Sequence, residues 1–188
     1  MRGRVIFKFF KPVINLLVFV LKKAPFSVRV FFYNAGIGLG GKIGIGYRYV
    51  FLKSLIKKCG DNVSIHKNVY LLGFSNITIG SNVSIHPMCY IEGEGGLDIG
   101  SDVSIAHAVT IMSTSHTYEE ISIPFKDQGI VYKKVSIGNN VWIGCKATIL
   151  YGVDIKERVI VGAASLVNRN IPTGVIAAGS PAKIVKYL

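Results

Sequence analysis

Acidic residues are absent from the first third of this chain. Residues 1–60 contain twelve Lys and Arg and no Asp or Glu, and the ten basic residues that follow are matched by ten acidic ones. The formal net charge of +12 is therefore concentrated in the first third. Such an asymmetry indicates an acidic partner surface, which can be a membrane or a nucleic acid.

Long apolar runs are absent from residues 1–33. The longest uncharged run there, Pro12 to Leu21, has ten residues, whereas a helix needs about 20 apolar residues to cross a bilayer. Lys22 and Lys23 follow it directly and no small-residue cleavage site is present, so a secretory signal peptide is not expected. The chain has three cysteines, too few for a disulfide framework, which favours a reducing, cytoplasmic setting.

Residues 1–33 instead show the pattern of an amphipathic helix, which Pro12 is expected to kink or restart. We expect peripheral contact between this segment and the inner face of the cytoplasmic membrane. Capping the open end of the following domain is the alternative, and the two are compatible. Nucleic acid is disfavoured because the basic residues alternate with an apolar face rather than a polar, stacking surface. The polar side of the helix comprises Arg4, Lys8, Lys11, Asn15 and Lys22.

A six-residue repeat dominates the rest of the chain. Apolar residues recur at steps of four and two, which do not fit the period of an α-helix. Three hexads make one coil of about eighteen residues, so the pattern predicts a solenoid of short parallel strands with triangular coils. The first aliphatic residue of each hexad is predicted to point into the core. The Gly after it lets the chain turn at the corner of the coil. Copies occur at residues 59–65, 79–85, 99–105 and 137–143, and more loosely at 155–161.

Three segments follow from this pattern. Residues 1–58 are predicted to be a basic helical segment, residues 59–180 the solenoid, and residues 181–188 a tail. Within the first segment, residues 43–46 resemble a degenerate first coil and residues 47–58 a linking helix. The Gly-rich stretch there lacks the Lys-Ser/Thr ending of a phosphate loop, so no nucleotide site is expected.

An insert at residues 112–134 breaks the repeat. Between the third and fourth copies the interval is one coil plus roughly twenty residues. A long loop projecting from a rigid scaffold is where function is usually found. The insert contains His116, Tyr118 and Gln128.

Four motifs together resemble one known family. The chain is similar to the left-handed β-helix, or hexapeptide-repeat, O-acetyltransferases, and most similar to their polysaccharide-biosynthesis branch, related to the galactoside and maltose acetyltransferases. The resemblance covers residues 59–188 and implies a left-handed coil. The motifs are Ser-Thr-Ser-His-Thr-Tyr at 113–118, Ile-Gly-Asn-Asn-Val-Trp-Ile-Gly at 137–144, Gly-Ala-Ala-Ser at 162–165 and Ala-Gly-Ser-Pro-Ala-Lys at 178–183.

The resemblance implies a substrate pair and an assembly. The donor is acetyl-CoA, no metal is expected, and the acceptor is a sugar hydroxyl of a surface polysaccharide. A lipid-linked form of that saccharide would explain a membrane-facing helix. The resemblance further implies a homotrimer with the active site between subunits.

The resemblance also implies the catalytic groups. His116 is the general base that takes the proton from the attacking hydroxyl, a role that suits a group of pKa near 6.5. The backbone N–H of Cys145 is the donor for the developing oxyanion. A nucleophilic role for the Cys145 thiol is the rival hypothesis.

For coenzyme A, the resemblance implies a groove beside neighbouring coils. Small residues admit the pantetheine arm, an indole packs near the thioester, and basic residues contact the phosphates. The sequence departs from the family at Ala164, where Gly is common, which predicts a tighter groove. For Lys186, which also falls in a basic position, solvated surface is the preferred interpretation. The groove residues are Trp142, Gly144, Ala163, Ala164, Arg169 and Lys183.

Acceptor-binding candidates are His86, Tyr118 and Gln128, of which the last two have loop folding as their alternative role. His66 and His86 occupy equivalent repeat positions and are predicted to stack on one line of the solenoid. That pair could form a ladder, part of the acceptor site or a metal pair. A metal pair would resemble the zinc site of γ-class carbonic anhydrases. The histidine spacings do not match that family, so no metal is predicted.

Two other functions stay open. One is acetyl transfer to a small acceptor, such as serine or the hydroxyl of an antibiotic. The other is a non-catalytic solenoid scaffold that binds membranes. Replacement of His116 distinguishes both enzymes from the scaffold, because only an enzyme would lose activity.

Overall fold

From residue 58 onward the chain winds into a three-sided prism, seen in a computed structural model that describes residues 2–188, without the side chains of residues 2–4 and 6. Each coil adds one short strand to each of three sheets, which we name faces A, B and C in the order that the chain visits them. Face A consists of β1 (Lys58–Cys59), β4 (Ile77–Ile79), β7 (Leu97–Ile99), β12 (Val135–Ile137) and β15 (Asp154–Ile155).

Faces B and C continue each coil. Face B contains β2 (Ser64–Ile65), β5 (Ser84–Ile85), β8 (Ser104–Ile105), β13 (Trp142–Ile143), β16 (Ile160–Val161), β18 (Val175–Gly179) and β19 (Ala182–Tyr187). Face C contains β3 (Tyr70–Leu72), β6 (Tyr90–Glu92), β9 (Thr110–Ile111), β14 (Thr148–Ile149) and β17 (Leu166–Val167). A separate antiparallel hairpin joins β10 (Thr114–His116) to β11 (Ile130–Tyr132).

Equivalent residues of successive coils stand in register. On face B, Ile65 pairs with Ile85, Ile85 with Ile105, and Ile105 with Ile143, and all four side chains are fully buried. Stacking identical aliphatic residues at each level fills the interior with one continuous apolar core. The predicted parallel solenoid is confirmed.

The glycines of the repeat stand where two coils come close. A Cβ placed on Gly80 would lie 2.6 Å from the carbonyl carbon of Gly100 in the next coil. Any side chain at this corner would therefore push the coils apart. The predicted role of the repeat glycine is confirmed, and the atoms that require it belong to the neighbouring coil.

All additions to the plain repeat lie on the edge between faces C and A. In the plain repeat, an inward residue of face C is six residues before the next inward residue of face A, as Ile149 is before Ile155. The same separation is eight residues after Leu71 and after Ile91. The corner after Ile111 takes up the whole insert. The C–A edge is therefore the side of the prism on which this chain can vary.

The N-terminal segment forms three helices, α1 (Arg2–Leu21), α2 (Phe26–Ala35) and α3 (Gly41–Leu55). α1 runs through Pro12 as one helix; Arg4, predicted for its polar face, lies outside the described side chains. The prediction of a degenerate coil at residues 43–46 is wrong, because they belong to α3. Alternation of Gly with Ile imitates a hexad, but no earlier coil exists there with which a strand could pair.

α3 covers the open end of the prism. The Arg48 Nε donates to the Ile65 carbonyl at 2.9 Å, and the Tyr49 hydroxyl donates to the Gly60 carbonyl at 2.8 Å. Both carbonyls belong to the first coil, which has no preceding coil to pair with. α3 therefore caps this end of the prism, a role that the sequence analysis had considered for residues 1–33.

The chain ends with a strand. Residues 181–188, predicted as a tail, contain β19, which pairs antiparallel with β18 on face B. This pairing extends face B beyond the last regular coil. Within residues 2–188, no helix combines the length and the apolar character that crossing a membrane requires.

Candidate active site

His116 lies at the tip end of β10, on the C–A edge of the prism. Its backbone stands opposite Ile130 in the hairpin, and its side chain is exposed. The imidazole has no hydrogen-bond partner among the residues that the structure describes. The ring is therefore free to accept a proton from a molecule outside its own chain.

A buried carboxylate fastens the base of this hairpin. Glu92, at the end of β6, accepts hydrogen bonds from the Ser113 hydroxyl at 2.7 Å, the Glu94 N–H at 3.1 Å and the Thr114 hydroxyl at 2.7 Å. Glu92 and Ser113 are both buried. The sequence analysis missed Glu92, although one signal was available: the equivalent residue of the preceding coil is the apolar Leu72.

The loop between β10 and β11 is organised by Gln128. Its side-chain amide donates to the carbonyls of Glu120 at 2.8 Å and Ile123 at 2.9 Å. Its carbonyl oxygen also accepts from the Glu120 N–H at 3.3 Å. Gln128 is thus used in folding the loop, and its contact with a sugar stays a prediction. Tyr118, in contrast, is exposed.

Cys145 lies on the edge between faces B and C. The neighbouring amides are in use, since the Gly144 N–H donates to Val161 at 2.8 Å and the Lys146 N–H to His107 at 3.1 Å. The Cys145 N–H has no acceptor among residues 2–188, a property that it shares with equivalent corner amides such as that of His107. Corner geometry therefore leaves an N–H available for a ligand at this point.

The small residues beside Cys145 have structural reasons of their own. A Cβ on Gly144 would lie 2.5 Å from the backbone nitrogen of Ala163, so coil stacking alone requires Gly there. Ala164 has a φ of +55°, in the left-handed region, where Gly is the least strained residue. This conformation explains why the position favours Gly, and Ala164 departs from that preference at some cost in backbone strain. Ala163 and Ala164 are both exposed on the edge.

Trp142 projects from face B, three residues before Cys145 in the chain. It is exposed and lines a cleft of about 380 Å³ together with Ser104, Arg158, Ile160 and Leu188. An indole face at the wall of a cleft suits contact with a thioester or pantetheine group. Of the two predicted phosphate contacts, Arg169 follows β17 and Lys183 lies in β19, and both are exposed.

His66 and His86 stack as predicted on the B–C edge. Their ring centroids are 4.8 Å apart and their planes differ by 8°. The pKa of His66 is lowered, first by partial burial and then by the nearby His86 and Arg48. No group of three or more His, Cys, Asp or Glu suited to a metal ion occurs in the described part of the chain.

One chain does not bring all these residues together. His116 lies on the C–A edge, whereas Cys145 and His86 lie on the B–C edge and Trp142 on face B. The two edges are separated by face C. Within one chain, His116 and Cys145 therefore lie on opposite sides of face C.

Comparisons with known proteins identify the fold and its relatives. Residues 134–169 match the bacterial transferase hexapeptide family model, described as six repeats. The galactoside O-acetyltransferase of Escherichia coli is 34% identical over 142 residues, 75% of this chain and 68% of that protein. An Escherichia coli protein named as a lipopolysaccharide biosynthesis O-acetyltransferase is 34% identical over 150 residues, 76% of this chain and 66% of that protein.

A solved structure agrees with the sequence relatives. Galactoside acetyltransferase in complex with coenzyme A superimposes with a TM-score of 0.77 at 29% identity, covering 86% of this chain and 80% of that one. The predicted fold class, a left-handed parallel β-helix with an N-terminal helical segment and an extruded loop, is confirmed.

Proposed function

Since this chain belongs to the hexapeptide-repeat O-acetyltransferase family, we propose that it acetylates a hydroxyl of a saccharide, with His116 as general base. The coarser activity follows from the family: the chain is an acetyl-CoA-dependent acetyltransferase. Support for a saccharide acceptor comes from relatives named for galactoside and for lipopolysaccharide biosynthesis. We assign the chain to the synthesis of a surface polysaccharide, at the cytoplasmic side of the membrane.

The observation that carries the proposal is the position of His116. Its imidazole is exposed at the end of a fixed strand and has no internal hydrogen bond to break. A neutral imidazole in that position accepts the proton of the sugar hydroxyl as the oxygen attacks the acetyl carbonyl. It can then return the proton to the departing thiolate, so no covalent enzyme intermediate is needed.

The Cys145 N–H supplies the complementary group. It is a fixed backbone donor with no acceptor of its own in the described residues, which is what a developing oxyanion requires. In acetyl-CoA the acetyl group is bonded to the sulfur of coenzyme A, and the thiolate is a good leaving group. Trp142, three residues before Cys145, lines a cleft on face B, and Arg169 and Lys183 provide exposed positive charge for the phosphates.

A homotrimer would complete the site. In a closed three-fold ring, the C–A edge of one subunit faces the B–C edge of the next, and every site receives both halves. Such a ring would set His116 of one copy opposite Cys145 and His86 of its neighbour. His86 and Tyr118 are then the side chains we assign to the acceptor.

The test is acetyl-CoA consumption by the purified full chain with a panel of acceptors that includes saccharides, serine and hydroxylated antibiotics. His116→Ala is expected to lower kcat by about 10²–10⁴-fold. Lys126→Ala, an exposed substitution in the same loop, is the matched control. If serine or an antibiotic is the preferred acceptor, the proposed saccharide acceptor is wrong and the substrate is a small molecule. Turnover unchanged by His116→Ala would refute the general-base assignment.

A further inference from the structure

α1 has one face that packs on the protein. Val18 is buried, and Phe7, Ile14 and Leu21 are partly buried against the apolar core. The Phe7 ring makes an edge contact with Tyr49 of α3, with 5.7 Å between centroids. Among the described side chains, these apolar contacts and the Lys11–Asp61 ion pair hold α1 to the protein.

The opposite face of α1 is also apolar, and none of the residues that the structure describes covers it. Phe9, Val13, Leu16 and Val20, spaced four, three and four residues apart, form one stripe with exposed fractions of 79%, 54%, 63% and 55%. We call these four residues the outer stripe. A contiguous apolar surface of this kind on a folded protein marks an interaction site. More exposed apolar residues flank the stripe: Val5, Phe10, Leu17 and Phe19.

α2 adds to the exposed apolar surface, and cations border it. Phe26 and Phe31 of α2 are exposed. The Lys23 ammonium lies 5.1 Å from the centre of the Phe19 ring, and the Arg29 guanidinium 5.5 Å from that of Phe26. Basic side chains that extend along apolar rings to a charged end are typical of the boundary between hydrocarbon and lipid headgroups.

The charge around this surface selects the partner. No Asp or Glu occurs in residues 1–60, and among the described residues Lys22, Lys23 and Lys42 have no carboxylate partner. Lys11 does have one, because it is paired with Asp61 of the first coil. Each unpaired cation close to an anionic leaflet strengthens binding about fivefold.

We infer that α1 and α2 dock on the surface of an anionic lipid bilayer, with the outer stripe inserted at the acyl boundary and the lysines at the headgroups. α1 lies in the plane of the interface, since no helix in residues 2–188 is suited to span a membrane. The inference goes beyond the proposed reaction. It means that the enzyme can reach an acceptor that is anchored in a membrane.

Vesicle flotation of the full-length protein tests the inference. Phosphatidylcholine vesicles with and without phosphatidylglycerol serve as probes. The wild type is expected to float with the anionic vesicles, and more weakly at high salt. A variant with Phe9→Ser, Val13→Ser and Leu16→Ser is expected to lose at least about tenfold in partition. Val185→Ser, an equally exposed valine in β19, is the matched control and keeps wild-type binding.

A charge variant provides the second arm. Lys22→Gln with Lys23→Gln is expected to reduce partition about 25-fold, and only on anionic vesicles. Thermal unfolding shows that each variant is folded, and acetyl transfer to a soluble saccharide is expected to stay at the wild-type level in all of them. Loss of membrane binding is thereby distinguished from failure of the proposed reaction.

Two results would overturn the inference. One is a wild type that stays with the non-floating fraction in both kinds of vesicle. The other is a stripe variant that floats like the wild type. If the wild type does not float and sedimentation equilibrium shows fewer subunits for the stripe variant, the outer stripe is a contact between copies of this chain instead.

Discussion

The Glu92 carboxylate accepts a hydrogen bond from the Thr114 hydroxyl at 2.7 Å, two residues before His116. Its other oxygen accepts from Ser113, so one buried side chain holds the first turn of the insert to the rigid coil before it. The hairpin is therefore anchored at its base, two residues before His116. This makes Glu92 a positioning residue for the proposed base, although it does not touch the imidazole ring.

Glu92→Gln is expected to lower the turnover rate more than it weakens the binding of acetyl-CoA. The amide nitrogen that replaces one oxygen cannot accept a hydrogen bond, so Ser113 or Thr114 loses its acceptor. We expect a stability loss of about 1–3 kcal/mol and a fall in kcat with the KM for acetyl-CoA nearly unchanged. Steady-state kinetics and thermal unfolding measure both. Glu157→Gln, at an exposed carboxylate, is the control; equal kcat values in the two variants would contradict the positioning role.

Cys145→Ala is expected to stay active within a few-fold of the wild type. The proposed mechanism uses the backbone N–H of residue 145, and alanine retains it. A catalytic thiol would instead be indispensable. Initial rates at saturating acetyl-CoA, measured beside His116→Ala, decide the matter. If Cys145→Ala is as inactive as His116→Ala, Cys145 is the nucleophile.

Arg48→Met is expected to destabilise the protein by about 3 kcal/mol or more, because the Ile65 and Leu39 carbonyls lose their donor and those of Gly36 and Ile37 lose one of two. The guanidinium donates to Ile65 at 2.9 Å, Gly36 at 3.1 Å, Ile37 at 3.3 Å and Leu39 at 2.7 Å. Burial lowers the pKa of Arg48, but an arginine remains charged at neutral pH. Urea unfolding gives the free energy.

The control for Arg48→Met is the same substitution at Arg158, which is exposed. It is expected to change the free energy of unfolding by less than about 0.5 kcal/mol. Similar losses in both variants would show that the contacts of Arg48 with the first coil are not what stabilises the end of the prism.

The stacked histidines predict a loss of stability in acid. The pKa of His66 is lowered in the folded state, whereas in the unfolded chain it is about 6.5. Below that value the unfolded state binds more protons, so the contribution of His66 is complete above a pH of about 6.5 and is lost as the pH falls. Thermal unfolding between neutral and mildly acid pH measures the effect.

In His66→Gln we expect the melting temperature to depend less on pH than in the wild type, because the group with the lowered pKa is gone. His107→Gln, at an exposed histidine one corner position away from the ladder, serves as the control. An unchanged pH dependence in His66→Gln would assign the acid sensitivity to other groups.

The repeat itself was predictable because each hexad determines its own fold. An inward aliphatic residue and a corner Gly at each step fix the coil, and equal spacing fixes the register, so the stacking of His66 on His86 could be predicted. The same local rule misplaced residues 43–46, because a hexad-like pattern does not reveal whether a neighbouring coil exists. Glu92 was missed because its partners, Ser113 and Thr114, belong to the aperiodic insert.

The site as a whole could be predicted only through the family resemblance. Periodicity places His116 and Cys145 on different edges, and the sequence of one chain does not contain the geometry of a second copy. Helix was predicted for residues 1–33 from their amphipathic pattern and for residues 47–58 as a linker, but the division into α1, α2 and α3 depends on which face packs on the first coil. That packing is a tertiary contact, and the helix propensity of the individual residues does not determine it.

The cap made by Arg48 and Tyr49 has a consequence for assembly. A bare coil presents a row of unpaired carbonyls, on which another chain can add a strand and start a fibre. At this end of the prism the Ile65 and Gly60 carbonyls already have donors and α3 covers the coil, which opposes the lengthwise addition of a second prism. The proposed three-fold ring agrees with this cap, because its contacts run along the long edges of the prism and leave this end unused.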